Sequence, residues 1–393
     1  MTSSTFEEAY NIVISSAKPL NKDATTLEHA LNRVLAEDIF SDMDIPPFDK
    51  SAMDGYACRR EDLYSKLEVL ETIAAGSIPT MTIGKNQCSK IMTGAKIPEG
   101  ADCVLMVEQT QITGQNKIHF TGKITANNIS YKAEDLKKGE IVLGKGILLK
   151  PQHIAILASI GCCNIPVSKQ PRVAIISTGD ELVEPSEIPA PAQIRNSNAY
   201  QLITQVVNAH AIPVYYGIAK DDPVLTETMI NKALSENNVV LITGGVSMGD
   251  YDFVPEILRK NNIKLLFEKL EVKPGRPTVF GINDSKYVFG LPGNPVSSYV
   301  IFEMLTKPLL FKMMRYDYTP PKIMVPLESG YSRKNADRLT WIPVRFTENG
   351  GVNLVEYHGS AHVLSLCSAD GLVTIPIGVT EIKKGDLVDV RQI

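Results

Sequence analysis

Apolar positions along the chain change period several times, and each change marks an element. Between residues 172 and 242, short continuous apolar runs alternate with stretches in which apolar residues recur at i, i+4. The runs are Arg172-Val-Ala-Ile-Ile-Ser-Thr178, residues 214–218, and Val239-Val-Leu-Ile242. Being short and rich in β-branched residues, they predict strands, and the third, uniformly apolar, is expected to be buried on both faces. After Asn196, Leu202/Val206 and Ile203/Val207 form one helical stripe, and Leu225, Met229, Ile230, Ala233 and Leu234 form a second. Strand and helix alternate, so the sheet is predicted to be parallel, and ligands meet such sheets in the crevice beyond the strand carboxyl ends.

Polar chemistry begins where each run stops. The first breaks into Gly179-Asp180-Glu181, the second into Asp221-Asp222-Pro223, and the third into Thr243-Gly-Gly-Val-Ser-Met-Gly249. Gly244, Gly245 and Gly249 allow backbone N–H groups to approach an anion, and a helix starting near Asp252 would aim its positive end at the same place. A further strand over 287–291 leads into Pro292-Gly293-Asn294-Pro295, where Asn294 suits an N-cap and Pro295 the first helical turn. Any one such turn is explained by turn chemistry alone; four in one unit point to a site. Neither G-x-x-x-x-G-K-[ST] nor G-x-G-x-x-G occurs in these turns, so neither a P-loop nucleotidase nor a dinucleotide dehydrogenase is supported.

The flanking chain has different periods. Thr5-x-x-Glu8 is a capping box before Phe6, Ala9, Tyr10, Val13, Ile14 and Ala17 at helical spacing, and Thr25-x-x-Glu28 predicts a second short helix carrying Leu27, Ala30, Leu31, Val34 and Leu35. From about residue 44 the pattern is β-like and rich in turns, with strands expected over 67–74, 90–93, 103–108 and 117–120 as in a small barrel or sandwich. Asp54-Gly55 makes a tight turn in a loop crowded with aspartates, which is either a solvated turn or part of a site. Thr93 ends one of these strands, and Asp135 lies in a polar excursion over 127–139. Residues 141–149 read as strand or linker and Pro151 starts a helix. Beyond the α/β unit, a strand over 264–272 carries Lys269 and ends in Lys273-Pro-Gly-Arg276-Pro277, either a solvated basic turn or an anion contact. A helix over 296–314 and a linker at 318–321 precede a small β domain with Arg338 and Ser360. His358-x-x-x-His362 has zinc-ligand spacing for a helix, but Gly359 and Ser360 favour loop or strand histidines.

The fold class is therefore α/β plus β and multidomain. It comprises a discontinuous helical and linker domain (1–44 with 136–168), a β-rich domain (45–135), a parallel-sheet α/β domain (169–317) and a small C-terminal β domain (318–393). Composition adds exclusions: of 393 residues, 44% are hydrophobic and 21% charged, with a net charge of −4, so nothing drives the chain toward nucleic acid or anionic membrane. The opening residues lack a basic n-region and an apolar h-region, and the cytosol is the expected location. The six cysteines form no C-x-x-C pair and are expected to be reduced, mostly packed side chains.

Five motifs, taken together and in order, resemble the molybdopterin molybdenumtransferases, the MoeA family that includes the E domain of gephyrin. They are Pro46-Pro-Phe-Asp-Lys-Ser-Ala-Met-Asp-Gly-Tyr-Ala57, Ile91-Met-Thr-Gly-Ala95 with Pro98-Glu-Gly-Ala-Asp102, Ser177-Thr-Gly-Asp-Glu-Leu182, Gly244-Gly-Val-Ser-Met-Gly249 and Leu291-Pro-Gly-Asn-Pro-Val-Ser297. The resemblance spans essentially the whole chain. It implies an elongated homodimer of four-domain subunits that inserts molybdenum from molybdate into adenylylated molybdopterin, releasing AMP and the molybdenum cofactor with Mg²⁺.

Position by position, Glu181, Asp221 and Asp252 resemble the family's pterin-nucleotide and metal-site carboxylates, and Asp54, Thr93 and Asp135 the residues presented by the second domain. Lys269, Lys273 and Arg276 resemble the basic triplet near molybdate. Gly244, Gly245, Ser247 and Gly249, with Pro292, Gly293, Asn294 and Pro295, resemble the substrate loops, and Arg338 and Ser360 the contribution of the last domain. Arg276 departs from the lysine common there, replacing a point charge with a planar fork. The residue types agree with the chemistry: Mg²⁺ takes one or two carboxylates plus phosphate oxygens and water, which suits Asp221 and Asp252. A molybdate dianion needs cations and hydroxyls, which Lys273, Arg276 and Ser360 supply. Two further readings are an adenylyltransferase acting one step earlier, which becomes a partner under the main reading, and a non-catalytic scaffold like gephyrin's receptor-anchoring role. The single copy of the 172–252 unit disfavours a bifunctional chain.

Overall fold

The structure, a computed structural model, describes residues 3–220, 222–245 and 254–393. Asp221, Ser247, Gly249 and Asp252, with the helix start expected near Asp252, lie outside the described residues.

The centre of the molecule is a six-stranded sheet whose neighbours run in the order Ile212–Ala219, Arg172–Thr178, Val239–Thr243, Lys286–Leu291, Val279–Asn283, Lys264–Phe267. Alternation along the strands sorts the apolar residues to two faces. Val173, Ile175, Val239, Leu241 and Phe289 join Leu202 and Val206 of the helix Ser197–Asn208 in one core. Their neighbours Ala174, Ile176, Val240, Ile242 and Val288 join Ile230 and Ala233 of Pro223–Glu236 and Ile257 and Leu258 of Val254–Lys260 in the other. Each fully buried Ile, Val or Leu contributes about 1.5–3 kcal/mol, so both faces stabilise the frame that carries the loops.

The sheet is not wholly parallel, as had been expected. Its first four strands are parallel, whereas Val279–Asn283 pairs antiparallel with both Lys286–Leu291 and Lys264–Phe267. The cause is a two-residue hairpin at Asp284-Ser285, with Asp284 at φ 51°, which only an antiparallel pair can use.

The predicted strand over 264–272 divides into three pieces. Lys264–Phe267 edges the central sheet, Lys269–Leu270 pairs with Ser3–Ser4, and Val272–Lys273 pairs with Leu339–Thr340 of the C-terminal sheet. Phe267, Leu270 and Val272 all face the main core, so one apolar pattern serves three different partners. The predicted helix over 296–314 becomes Pro295–Ile301, a π turn Phe302–Thr306 and Lys307–Met313. Pro308 explains the interruption, since it has no N–H and its ring would press on the carbonyl four residues earlier; Arg391 donates to the Glu303 carbonyl at 2.6 Å.

At the N-terminus the capping box forms as expected, and Phe6–Ser16 buries Ala9 and Val13 in the main core, with Phe6 edge-on to the buried Trp341 at 5.0 Å. The second predicted helix does not form. Lys22–Thr25 is instead a strand paired with Ile165–Ser168, followed by a single 3₁₀ turn, Leu27–His29, and Asn32 at φ 61°. Backbone pairing to a distant strand overrides a helical side-chain pattern; Ala30 and Leu35 are buried all the same, with Leu149, Leu157, Ile165 and Val167.

The β-rich region is a six-stranded sheet, Cys103–Met106, Gly55–Cys58, Gln87–Ile91, Lys66–Ile73, Lys117–Phe120, Thr110–Gly114. Cys58 faces Cys103 on one side and Cys88 on the other, all three buried as free thiols, and burial pushes the Cys88 thiol up to about 12. Cys162 is half-buried, and Cys163 and Cys367 are the exposed exceptions to the expectation of mostly packed cysteines. A five-strand path in the C-terminal region runs Val272–Lys273, Leu339–Phe346, Gly371–Ile375, Leu387–Gln392, Lys322–Pro326. No helix among the described residues is long and apolar enough to cross a membrane.

Candidate active site

Parallel register aligns three strand ends. Ser177 pairs with Thr243 and Thr243 with Leu291, so the loops opening at Gly179, Gly244 and Pro292 leave the sheet at one level. The packing of these loops requires glycine. Gly244 has φ 91°, and a Cβ there would lie 2.6 Å from the Thr178 carbonyl oxygen. Gly179 has φ 139°, and a Cβ there would collide with the Glu181 carboxylate, which folds back over the strand end. The Gly244 N–H does not face an anion as expected; it donates to the Leu291 carbonyl at 3.2 Å and ties two loops together.

A buried amide completes this stitching. Asn198 Nδ2 donates to Thr243 Oγ1 at 2.9 Å and to the Gly293 carbonyl at 2.6 Å, while Thr243 Oγ1 reaches the Pro292 carbonyl at 3.4 Å. Its neighbour Asn196 caps the helix Ser197–Asn208, accepting from the Ala199 N–H at 3.3 Å and from Ser177 Oγ at 3.1 Å.

Between these loops is a cavity of about 330 Å³, within the size range of small-molecule sites. Thr178, Glu181, Arg195, Asn198, Thr243, Gly244, Gly293, Asn294 and Pro295 line it, with Ala361 and Val363 closing one side from the C-terminal region. Asn294 occupies the N-cap position and Pro295 the first turn as predicted, but the Asn294 side chain makes no cap bond; its Nδ2 donates to Ser360 Oγ at 2.7 Å instead. The Val296 N–H reaches the Ser360 carbonyl at 3.0 Å, so the loop bearing Ser360 is fastened to the start of that helix. A larger groove of about 580 Å³, lined by Phe6, Tyr10, Met304, Leu339, Trp341 and Ile377 among others, lies away from these loops and is mainly apolar. Convergent polar groups, rather than size, mark the smaller cavity as the chemical site.

Other residues singled out in the sequence lie elsewhere. Asp54 Oδ1 accepts from the Thr93 N–H at 2.7 Å and from Thr93 Oγ1 at 3.1 Å, so these two meet on the β-rich sheet, outside the cavity lining. Asp135 is exposed, its N–H bonded to the Ile45 carbonyl at 3.0 Å. Lys273 and Arg276 are exposed, and Arg338 directly precedes Leu339, the strand partner of Val272, so the three cations gather along one seam between the α/β and C-terminal sheets. Lys269 pairs through its backbone with Ser3. Sequence reasoning missed Thr178, Arg195, Asn196, Asn198 and Thr243 as site residues. The usable signal was Ile194-Arg-Asn-Ser-Asn198, an amide-rich turn opening straight into a helical stripe. Among the described residues, no cluster of three or more His, Cys, Asp or Glu is arranged to hold a metal ion. His358 and His362 lie in a loop with rings stacked at 4.8 Å, as the glycine between them implied.

Comparison with known proteins matches three family models in succession: the MoeA N-terminal region (domain I and II) over 4–161, a probable molybdopterin binding domain over 174–312, and the MoeA C-terminal region (domain IV) over 329–393. A molybdopterin molybdenumtransferase of Staphylococcus epidermidis is 37% identical over 378 residues, covering 93% of this chain and 89% of that one. The chain belongs to the MoeA family. A second MoeA-family relative, the molybdopterin molybdenumtransferase of Staphylococcus aureus, is 34% identical over 396 residues, covering 98% and 94%. The crystal structure of the molybdopterin biosynthesis MoeA protein from Pyrococcus horikoshii OT3 superposes with a TM-score of 0.86 at 32% identity, covering all of both chains. The MoeA N-terminal model spans the first two sequence motifs and the molybdopterin binding domain model the other three, and the latter includes every residue lining the cavity except Ala361 and Val363.

Proposed function

We propose that this protein is a molybdopterin molybdenumtransferase that takes molybdenum from molybdate into adenylylated molybdopterin and releases AMP and the molybdenum cofactor. The observation that carries the reading is the cavity formed by three aligned strand ends, with Glu181 on one wall and stitched glycine loops on the others, in a chain of the MoeA family. Gly244 lets its loop pack against the Thr178 carbonyl, and Asn198 holds the Thr243 and Gly293 loops in fixed relation. Mg²⁺ suits this donor set: Glu181 supplies one carboxylate, and the substrate's phosphates and water complete the oxygen shell this ion favours. When bound, it would neutralise charge developing on the phosphate oxygens. Lys273, Arg276 and Arg338 supply the cations that attract molybdate, and Ser360 a hydroxyl beside Asn294.

The reading includes a homodimer in which Asp54 and Thr93 complete the cavity of the second subunit, a cytosolic location, and an adenylyltransferase as the upstream partner. Purified protein incubated with adenylylated molybdopterin, molybdate and Mg²⁺ is expected to release AMP in proportion to cofactor formed. Consumption of ATP with free molybdopterin, and no AMP release from the adenylylated form, would replace this reading with the adenylyltransferase. Neither activity would leave the scaffold.

A further inference from the structure

The site's charge distribution leaves one demand that the residues named from sequence do not meet. A nucleotide-bearing substrate brings phosphates into a cavity whose wall carries Glu181, while Lys273, Arg276 and Arg338 gather along the other seam. Among the described residues lining the cavity, Arg195 is the only cation. Resting on the function proposed above, we infer that Arg195 binds the phosphate of the adenylyl group.

Local geometry fits that role. Residues 182–195 leave the sheet and return, closing on themselves through a two-residue parallel ladder, Leu182–Val183 with Ile194–Arg195. The Ile194 N–H donates to the Glu181 carbonyl at 2.8 Å, so the cavity's carboxylate and its cation project from paired segments. Arg195 Nε donates to the Glu187 carbonyl at 3.1 Å, a neutral contact that orients the guanidinium plane without cancelling its charge. The two Nη groups present the planar fork that matches phosphate oxygens, which an ammonium does not.

The excursion is also held to the frame. Glu184 Oε1 accepts from Tyr215 OH at 2.6 Å and Oε2 from Tyr200 OH at 3.2 Å, while Asn196 Nδ2 donates to Tyr215 OH at 2.9 Å. Burial, reinforced by the hydrogen bond to Glu184, holds the Tyr215 hydroxyl well above the ordinary tyrosine range, so it stays protonated and keeps donating. Tyr215 lies where the edge strand shifts register, Ile175 pairing with Tyr215 and Ile176 with Gly217. Such bulges re-aim side chains next to sites.

The test is calorimetric titration of AMP into wild type, Arg195→Ala and Arg195→Lys, with the KM for adenylylated molybdopterin measured alongside and thermal melts confirming that the exposed substitution leaves the fold intact. Arg195→Ala is expected to weaken AMP binding about tenfold or more, with a parallel rise in KM, as removal of a charged hydrogen-bond partner implies. Arg195→Lys is expected to fall between the two. AMP binding by Arg195→Ala within twofold of wild type overturns the inference, as does a wild type that does not bind AMP. If wild type binds AMP and Arg195→Ala weakens it, but no turnover of the adenylylated substrate occurs, the proposed function fails while the phosphate contact stands.

Discussion

Glu181 and Asp54 are both acidic residues at the mouths of β structure, yet their surroundings are opposite. Glu181, exposed like Asp54, follows the carboxyl end of a strand buried on both faces and lines a cavity formed by loops of the same sheet, with Ala361 and Val363 on one side. Asp54 stands exposed at a tight turn, its carboxylate fixed by two bonds from Thr93, and no residue of the cavity lining surrounds it. The α/β layer thus makes a concavity within one chain, and under the function proposed above the β-rich sheet presents Asp54 and Thr93 to a concavity other than that one. Under the homodimer proposal, the second subunit supplies it.

Complementation tests that contrast most severely. Glu181→Gln and Asp54→Asn homodimers should each be nearly inactive in AMP release. Co-refolded in equal amounts, they give about half heterodimers, each with one site assembled from two unmutated halves, so about a quarter of wild-type activity returns by the statistics of a two-fold dimer. An inactive mixture, with heterodimers shown by recovery of the untagged variant alongside an affinity-tagged one, would place both carboxylates in one chain's site and remove the contrast.

The concave half should tolerate little change in its backbone. Gly244→Ala forces a Cβ onto the Thr178 carbonyl, a backbone atom that cannot swing away, at a φ of 91° that non-glycine residues avoid. The expected cost is about 1–3 kcal/mol of stability, read as a lower urea midpoint, together with loss of most AMP-release activity because the loops at Gly293 and Thr178 must shift. Gly76→Ala, at a similar φ of 82° but with nothing within 4 Å of its Cβ position, is the control, and should cost stability without touching turnover. Equal effects of the two on activity would refute the close-packing account.

What the sequence disclosed follows the same division. Strands buried on both faces carry continuous apolar runs, so 173–176 within Arg172–Thr178 and 239–242 within Val239–Thr243 were visible, and the polar loops after them marked the crevice. Pairing between distant segments leaves no local trace. The helical pattern over 27–35 follows Lys22–Thr25, which pairs with Ile165–Ser168, and ends in bridges from Val34 to Leu148 and Leu35 to Val167, and the apolar run at 264–272 is shared among three sheets. Asn198 and Arg195 were hidden for a related reason: an amide or a guanidinium gains its role only when the Gly293 and Thr243 loops, or a cavity whose one other charged group among the described lining residues is a carboxylate, are brought to it. Pro308 was legible as a helix breaker and was under-weighted, since the helix bypassed it through a π turn rather than ending.

The smallest expected effect lies behind the concave half, at Tyr215. Tyr215→Phe removes the donor to Glu184 Oε1 and the acceptor for Asn196 Nδ2, one bond to a half-buried carboxylate and one to a fully buried amide. Because Glu184 is partly solvated, the loss should be about 1 kcal/mol of stability rather than the full value of a charged hydrogen bond. Turnover should feel it through the loop rather than through chemistry: the KM for the adenylylated substrate rises a few-fold while kcat changes less, because the excursion carrying Glu181 and Arg195 is loosened and not altered. Tyr200→Phe, which breaks only the longer bond of an exposed hydroxyl to the same carboxylate, should change KM less than Tyr215→Phe. Were Tyr215→Phe instead to lower kcat with KM unchanged, the hydroxyl would belong to the reacting groups, and the excursion's anchoring would have to be sought in its backbone ladder alone.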